Sequence, residues 1–312
     1  MPASTCVEEL FLRLGKLGYQ ARIVSIRHLH DLQEGIEGRF KSGLFNQDFY
    51  RERLAWFNFR IPDSLPSAKS MIVVAVPRPQ GQATFTWNGE THALILPPTY
   101  VAYDKTRKRI ENFLAEILRT RGFHVAPTAL PLKLLAVRSG LGEYGRNNIC
   151  YVSGMGSFLQ LVAVYSDLPC QEDSWREAQM MKTCQQCQAC RRACPTAAIS
   201  SDRLLLHAER CIVFHGEKKG DIPFPFWIDP SWHNCLYGCL HCQRVCPEDR
   251  KFLQWIDEKE EFSEEETGLL LEGITRDQLP ATTERKLEYL DLIDSLDSLP
   301  RNLGVFFRKN KR

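Results

Sequence analysis

The chain has 312 residues, enough for two domains and a sizeable buried core. Its 40 Lys and Arg against 38 Asp and Glu leave a net charge of +2, so no global field marks nucleic acid or a membrane as the partner. The longest apolar run, Met71 to Val76, is far shorter than the roughly 20 residues a bilayer span needs, which excludes a transmembrane helix. The opening MPASTCVEEL shows no basic segment followed by an apolar stretch, so a cytoplasmic location is expected.

In chain order, Val7, Leu10, Phe11, Leu14 and Leu17 follow helical spacing and stop at Gly18, a residue suited to a left-handed C-cap. A short strand is expected over 21–26, and His28 with His30 then falls on one strand face as ordinary surface or core residues. Met71 to Val76 reads as a buried strand ended by Pro77 and Pro79. Arg107 to Arg121 places Ile110, Phe113, Leu114, Ile117 and Leu118 on one helical face, with Gly122 directly after. Lys133 to Val137 and Phe158 to Tyr165 are further strand candidates, separated by the glycine-bearing stretch 140–156. From Thr183 to Arg250 cysteine and proline replace apolar periodicity, as in a small domain where metal substitutes for a core. Asp257 to Glu266 holds seven acids against Lys259 and reads as a solvated helix face or linker. Leu287, Leu290 and Ile293 suggest one more short helix before the basic ending Arg308-Lys309-Asn310-Lys311-Arg312, read as a frayed tail. These boundaries give three segments: 1–178, 179–250 and 251–312.

Twelve cysteines are the informative excess, and nine of them lie between Cys184 and Cys246. In a reducing compartment such a cluster holds metal sooner than disulfides. Cys184, Cys187, Cys190 and Cys194, followed by Pro195, fit the C-x2-C-x2-C-x3-C-P run of two-cluster ferredoxins, whose fourth cysteine ligates the other 4Fe-4S cube. Cys239, Cys242 and Cys246, followed by Pro247, form a half-copy. Two cubes need eight thiolates and the runs supply seven, so the eighth comes from Cys211 or Cys235. Paired C-x-x-C motifs also hold zinc, but the shared spacing and both Cys-Pro endings favour iron–sulfur clusters. Cys6, Cys150 and Cys170 are isolated and read as ordinary thiols. No H-E-x-x-H is present. The stretch Gly140-Leu141-Gly142-Glu143-Tyr144-Gly145 lacks the strand–helix context of a nicotinamide-binding fingerprint, and by itself reads as a turn of close backbone approach.

Taken in order, the strand at Met71 to Pro77, the stretch Tyr103 to Arg109 entering a helix, Ala136 to Asn147, Gly156-Ser157-Phe158 and the cysteine pattern resemble the cobalamin-dependent iron–sulfur reductases. That superfamily comprises epoxyqueuosine reductase and the reductive dehalogenases, and the likeness covers most of residues 60–250. It implies an α+β fold: a nitroreductase-like cobalamin-binding domain (1–178) followed by a bicluster ferredoxin-like domain with two 4Fe-4S clusters (179–250) and a C-terminal helical tail (251–312). It also implies a lone cysteine between the runs as ligand, which selects Cys211 and gives the sets Cys184, Cys187, Cys190, Cys246 and Cys194, Cys211, Cys239, Cys242. A base-off cobalamin is expected against Ser139, Gly140, Leu141, Gly142, Gly145, Arg146, Asn147, Gly156 and Ser157.

Two departures stand out. By ungapped alignment the acid that those reductases carry before the glycine stretch falls on Ala126, and a family glutamate falls on Leu132. The tRNA-associated helical region is matched only at its start, Pro300 to Gly304. Both put tRNA and queuosine chemistry in question. Tyr103 is then the remaining candidate proton donor or substrate contact. The expected function is a cobalamin- and 4Fe-4S-dependent reductase that takes electrons from an external low-potential donor of ferredoxin or flavodoxin type and acts on a small organic substrate. Its rival is an electron-transfer or corrinoid-reducing carrier that serves a partner corrinoid protein, with no organic substrate of its own.

Overall fold

The computed structural model describes residues 3–307; the basic ending at 308–312 lies outside them. In chain order the first half runs α1 (Ala3–Lys16), β1 (Gln20–Ser25), α2 (Leu29–Lys41), α3 (Gln47–Arg53), β2 (Ser70–Pro77), β3 (Gln80–Trp87), β4 (Glu90–Leu96) and α4 (Tyr103–Arg119). It continues through β5 (Val125–Pro127), α5 (Leu132–Arg138), β6 (Glu143–Tyr144), β7 (Cys150–Tyr151) and β8 (Leu159–Ser166). The second half is α6 (Ala189–Ala193), α7 (Ile212–Gly216), α8 (His241–Arg244), β9 (Ile256–Phe262), α9 (Glu264–Glu272), α10 (Ala281–Tyr289) and α11 (Leu299–Phe307). The fold is α+β, as expected.

These elements form two compact units that interleave in sequence. Of the described residues, the first takes those up to Pro77, Lys105–Gln188 and Asp202–Leu206; the second takes Arg78–Asp104, Ala189–Ser201 and those from His207 on. The units therefore do not follow the linear segments 1–178, 179–250 and 251–312. One division falls inside the first cysteine run, between Gln188 and Ala189.

The first unit is built on an antiparallel sheet ordered β1-β2-β8-β5. β2 and β8 pair along their full length, from Ser70 opposite Ser166 to Pro77 opposite Leu159. Strands covered on both faces lose the apolar–polar alternation, which is why β2 reads as an unbroken apolar run. Met71, Val73 and Ala75 face a core shared with Leu32 and Ile36 of α2 and Leu134 and Leu135 of α5. Ile72, Val74 and Val76 face a second core with Leu10 and Leu14 of α1 and Ile110, Leu114 and Leu118 of α4.

Two local expectations change here. Lys133 to Val137 is helix rather than strand: a short apolar run carries no usable period, and Pro131 sits at the N-cap while Gly140, at φ +74°, closes the C-terminus. His28 and His30 do not share a strand face. β1 ends at Ser25, a 3-10 turn over Ile26–His28 follows, and His28 is buried where His30 is exposed.

The second unit centres on a sheet ordered β4-β3-β9. β3 and β4 form a hairpin through Asn88 and Gly89, both at positive φ, the backbone a type I′ turn demands. β9 joins parallel to β3, so the acidic run expected as a solvated helix or linker is a strand through Phe262. Its charges are tolerated because the strand lies at the sheet's edge. The capping box of Ser263 and Glu266 then opens α9. Leu287 lies in α10, while Leu290 and Ile293 fall beyond it and α11 follows, so the expected single short helix is an array of several. Among the described residues no helix is long and apolar enough to cross a membrane.

Candidate iron–sulfur and cofactor site

In the first unit the glycine-bearing loop and the start of the cysteine run are tied together. β6 and β7 form a two-residue ribbon, Glu143 opposite Tyr151 and Tyr144 opposite Cys150. The segment entering the cysteines is laced to it: Tyr144 N–H donates to the Gln179 carbonyl (2.8 Å), and Met181 N–H donates back to the Tyr144 carbonyl (2.9 Å). At the ribbon's turn Asn148 adopts φ +63°, and Arg146 reaches out to the cysteine loop. Its guanidinium donates to the carbonyls of Cys184 (2.8 Å), Cys187 (3.0 Å) and Gln185 (3.2 Å). One planar fork thus holds the backbone that presents Cys184 and Cys187.

The other residues expected at a cofactor are placed as follows. Ser139 is buried; its hydroxyl donates to the Ala136 carbonyl, and its own carbonyl accepts from Ser174 Oγ (2.7 Å). Leu141 and Ser157 are buried, and Gly156 sits at φ +58° with its carbonyl bonded to Val152 N–H. Asn147 is buried and internally satisfied, donating to the Tyr151 hydroxyl (2.9 Å) and accepting from Ile149 N–H. Arg146 thus donates to the cysteine segment and Asn147 within its own ribbon. A Cβ at Gly142 would lie 2.6 Å from the Tyr151 carbonyl and 2.7 Å from Cys150 Sγ; one at Gly145 would lie 2.4 Å from Asn147 Oδ1. These two glycines are required by packing against β7 and the turn. Gly140 is more open, its nearest neighbour to a Cβ being Arg176 Nε at 3.5 Å.

Tyr103 lies in the second unit at the start of α4, where its backbone N–H donates to Asp291 (2.9 Å). Ala126 is buried in β5 opposite Tyr165. Leu132 opens α5.

In the second unit the cysteines from distant stretches converge. Cys190 is buried on α6, Cys211 caps α7, and Cys242 lies on α8. Burial pushes the Cys242 thiol well above its ordinary value, and the charges of Cys239, Cys211, Cys190 and Cys194 push it further. Burial likewise raises Cys211 to about 12, with Cys239 and Cys194 adding to it. Cys239 is raised to about 11 by burial, with Cys194 adding against a backbone N–H of His241. The structure thus gathers Cys190, Cys194, Cys211, Cys239 and Cys242. Cys235 is also buried, but of the other cysteines only Cys239 acts on it. All twelve cysteines are free of disulfides. Buried thiols that repel one another's ionised forms suit a site where iron supplies the compensating positive charge.

Sequence reasoning did not find the other polar cluster of the first unit. His28 bonds to Asp31 through Nδ1 (2.8 Å) and to Asp173 through Nε2 (2.9 Å), and its ring stacks on Trp175 at 4.3 Å. The spacing of His28 and Asp31 is a local signal, but Asp173 lies too far along the chain for any pattern to join them.

Residues 183–249 match the model of the 4Fe-4S double cluster binding domain. The epoxyqueuosine reductase of Bacillus subtilis (strain 168) is 30% identical over 193 residues, 59% of this chain and 48% of that protein, so the match spans about half the relative's length. In fold, a crystal structure of selenomethionine-labelled epoxyqueuosine reductase superposes with a TM-score of 0.69 at 20% identity, covering 97% of this chain and 81% of that one. An epoxyqueuosine reductase crystallised with an epoxyqueuosine-modified tRNA-Tyr stem loop gives 0.66 at 20% identity over the same shares. The chain is thus similar in sequence to epoxyqueuosine reductases over about half of their length, matches the double-cluster domain over residues 183–249, and shares the epoxyqueuosine reductase fold over nearly all of its own length.

Proposed function

We propose that this protein is an oxidoreductase that passes electrons through two 4Fe-4S clusters to a corrinoid held by its first unit, and from there to an organic substrate. The observation that carries the reading is the gathering of Cys194, Cys211, Cys239 and Cys242 within a segment that matches a double-cluster domain. The proposed ligand sets are Cys184, Cys187, Cys190 and Cys246 for one cluster and Cys194, Cys211, Cys239 and Cys242 for the other. When bound, the clusters supply one-electron transfer and the corrinoid a strongly reducing centre. The chain's own part is to hold these groups dry and fixed. Arg146 pins the Cys184–Cys187 backbone, and the loop from Ser139 to Asn147, with Gly156 and Ser157, would offer backbone groups to the corrinoid. Tyr103 is the proposed hydroxyl toward substrate. The stem-loop complex of the related enzyme makes a modified tRNA nucleoside the first substrate to try.

Ala126 favours a second reading. A buried methyl group in β5 donates no proton, and general acid catalysis is typically worth about 10² to 10⁴-fold. A protein lacking that acid fits the reduction of a partner's corrinoid without an organic substrate of its own.

Anaerobic reconstitution followed by iron analysis tests the cluster assignment. The expected result is about eight iron atoms per chain, about half of them lost in Cys211→Ala and none in Cys235→Ala; the reverse pattern transfers the ligand to Cys235. Cobalamin titration of the reconstituted protein, followed by assay on an epoxyqueuosine stem loop, separates the two readings. Turnover supports the reductase, and corrinoid binding without turnover, restored by Ala126→Asp, supports loss of the acid. Absence of corrinoid binding with clusters intact overturns the first reading.

A further inference from the structure

Within the second unit, α6 packs against α8 and α8 against the 3-10 turn Pro247–Phe252. These three short pieces carry Cys190, Cys242, the residue before Cys194 and the chain on either side of Cys246, and they interleave the cysteines with cations: Arg191, Arg192, Arg244, Arg250 and Lys251. Arg192, Arg244, Arg250 and Lys251 are exposed. Among the described residues none of the five forms an ion pair or a hydrogen bond through its side chain; Lys251 only overlies the ring of Phe252 at 4.8 Å. Over the same stretches Glu248 is the one exposed acid, since Asp249 is buried. Amid the cations Val245 stands 42% exposed, next to Cys246.

Unpaired cations around an exposed aliphatic side chain make a surface for a partner with an acidic rim and an apolar centre. From this we infer that the α6–α8–Pro247–Phe252 surface is where the external electron donor docks, and that the donor is a small acidic one-electron carrier protein. The inference rests on the reading of the chain as a two-cluster oxidoreductase. Electron transfer weakens steeply with distance, so the donor must approach where cluster ligands lie nearest the surface; here the cations sit between and beside those ligands. Each encounter oxidises the carrier by one electron and reduces one cluster by one, with no proton moved and no bond made. Nucleic acid would also meet cations, but Val245 offers it neither a stacking face nor a hydrogen bond.

The test compares reconstituted wild-type protein with an Arg192→Glu, Arg250→Glu, Lys251→Glu triple variant and with the corresponding triple glutamine variant. Cluster bleaching is followed after mixing with reduced acidic flavodoxin, and separately with reduced methyl viologen. Expected is a fall of about tenfold or more in the second-order rate with flavodoxin for the glutamate variant, and a smaller fall for the glutamine variant. The wild-type rate should also drop between about 50 and 500 mM salt, while the viologen rates stay level. Equal flavodoxin rates in all three proteins overturn the inference. So does an unchanged flavodoxin rate accompanied by lost binding of an RNA stem loop, which reassigns the surface to nucleic acid. A wild-type protein whose iron is not reduced even by viologen overturns the oxidoreductase reading itself.

Discussion

His28 shows how one side chain sets a pH dependence. Each ring nitrogen lies within hydrogen-bond distance of a carboxylate, Nδ1 of Asp31 and Nε2 of Asp173. Burial by itself would raise the carboxyls of Asp31 and Asp173; the hydrogen bond and charge of His28 outweigh it and hold both below the usual aspartate value. Groups with a lowered folded pKa contribute stability that is complete above the unfolded value, about 3.9, and lost as pH falls through the folded one. His28→Ala should therefore lower stability by about 2 kcal/mol near neutral pH, a figure reduced for the partial exposure of Asp31. The difference between wild type and variant should hold down to about pH 4 and shrink only below it, as the two carboxylates protonate. Urea midpoints measured from neutral pH downward check this, and a gap independent of pH would show that the loss comes from Trp175 stacking rather than from the two carboxylates. Of this only the local spacing of His28 and Asp31 was legible in the sequence. A histidine's role is set by what the fold brings to its second nitrogen, here an aspartate from the far end of the same unit.

At the scale of elements, legibility followed how far each segment's period was set by its own packing. α1, α4, β2 and β8 each bury a face or both faces in a large core, and their apolar patterns announce them. α5 and β9 do not. α5 is too short for a helical period to show, and β9 carries Asp and Glu because only its edge position and its hydrogen bonds to β3 make it a strand. What anchors β9 is one residue, Phe262, buried and stacked on Phe85 of β3 at 4.7 Å with a 10° interplanar angle. Phe262→Ala should cost about 3–4 kcal/mol, the range for emptying an aromatic core site, whereas Lys259→Ala on the same strand should change stability by no more than about 0.5 kcal/mol. Thermal unfolding of the two variants decides it. Equal small effects would mean that the backbone pairing of β9, not its aromatic anchor, fastens the strand.

For the whole molecule, the cysteine spacing exposed the iron–sulfur chemistry because ligand geometry is local, but it hid the architecture that holds the ligands. The core of the second unit takes Ala83, Phe85 and Leu96 from the β3–β4 hairpin, Leu236 from the cysteine-bearing stretch, and Phe262, Leu270, Leu287, Leu299 and Leu303 from the C-terminal part. No composition change marks 78–104 as belonging with residues that follow it by more than a hundred positions, so a linear reading leaves 251–312 as a tail. Leu236 makes the consequence concrete. It is buried three residues before Cys239, and its N–H donates to the Ile95 carbonyl of β4 at 3.0 Å. The second cysteine run is thus fastened to a sheet whose apolar cover comes from β9, α9, α10 and α11. A chain ending after Lys251 keeps every cysteine but uncovers Phe85, Leu96 and Leu236, each worth about 1.5–3 kcal/mol when buried, a sum that rivals a domain's entire net stability. Such a chain should bind a hydrophobic dye, be cut readily by protease within 78–104, and retain much less than the full iron content after reconstitution. Iron content equal to that of the intact protein, with cooperative unfolding, would show instead that the cysteine segment is held by its clusters alone.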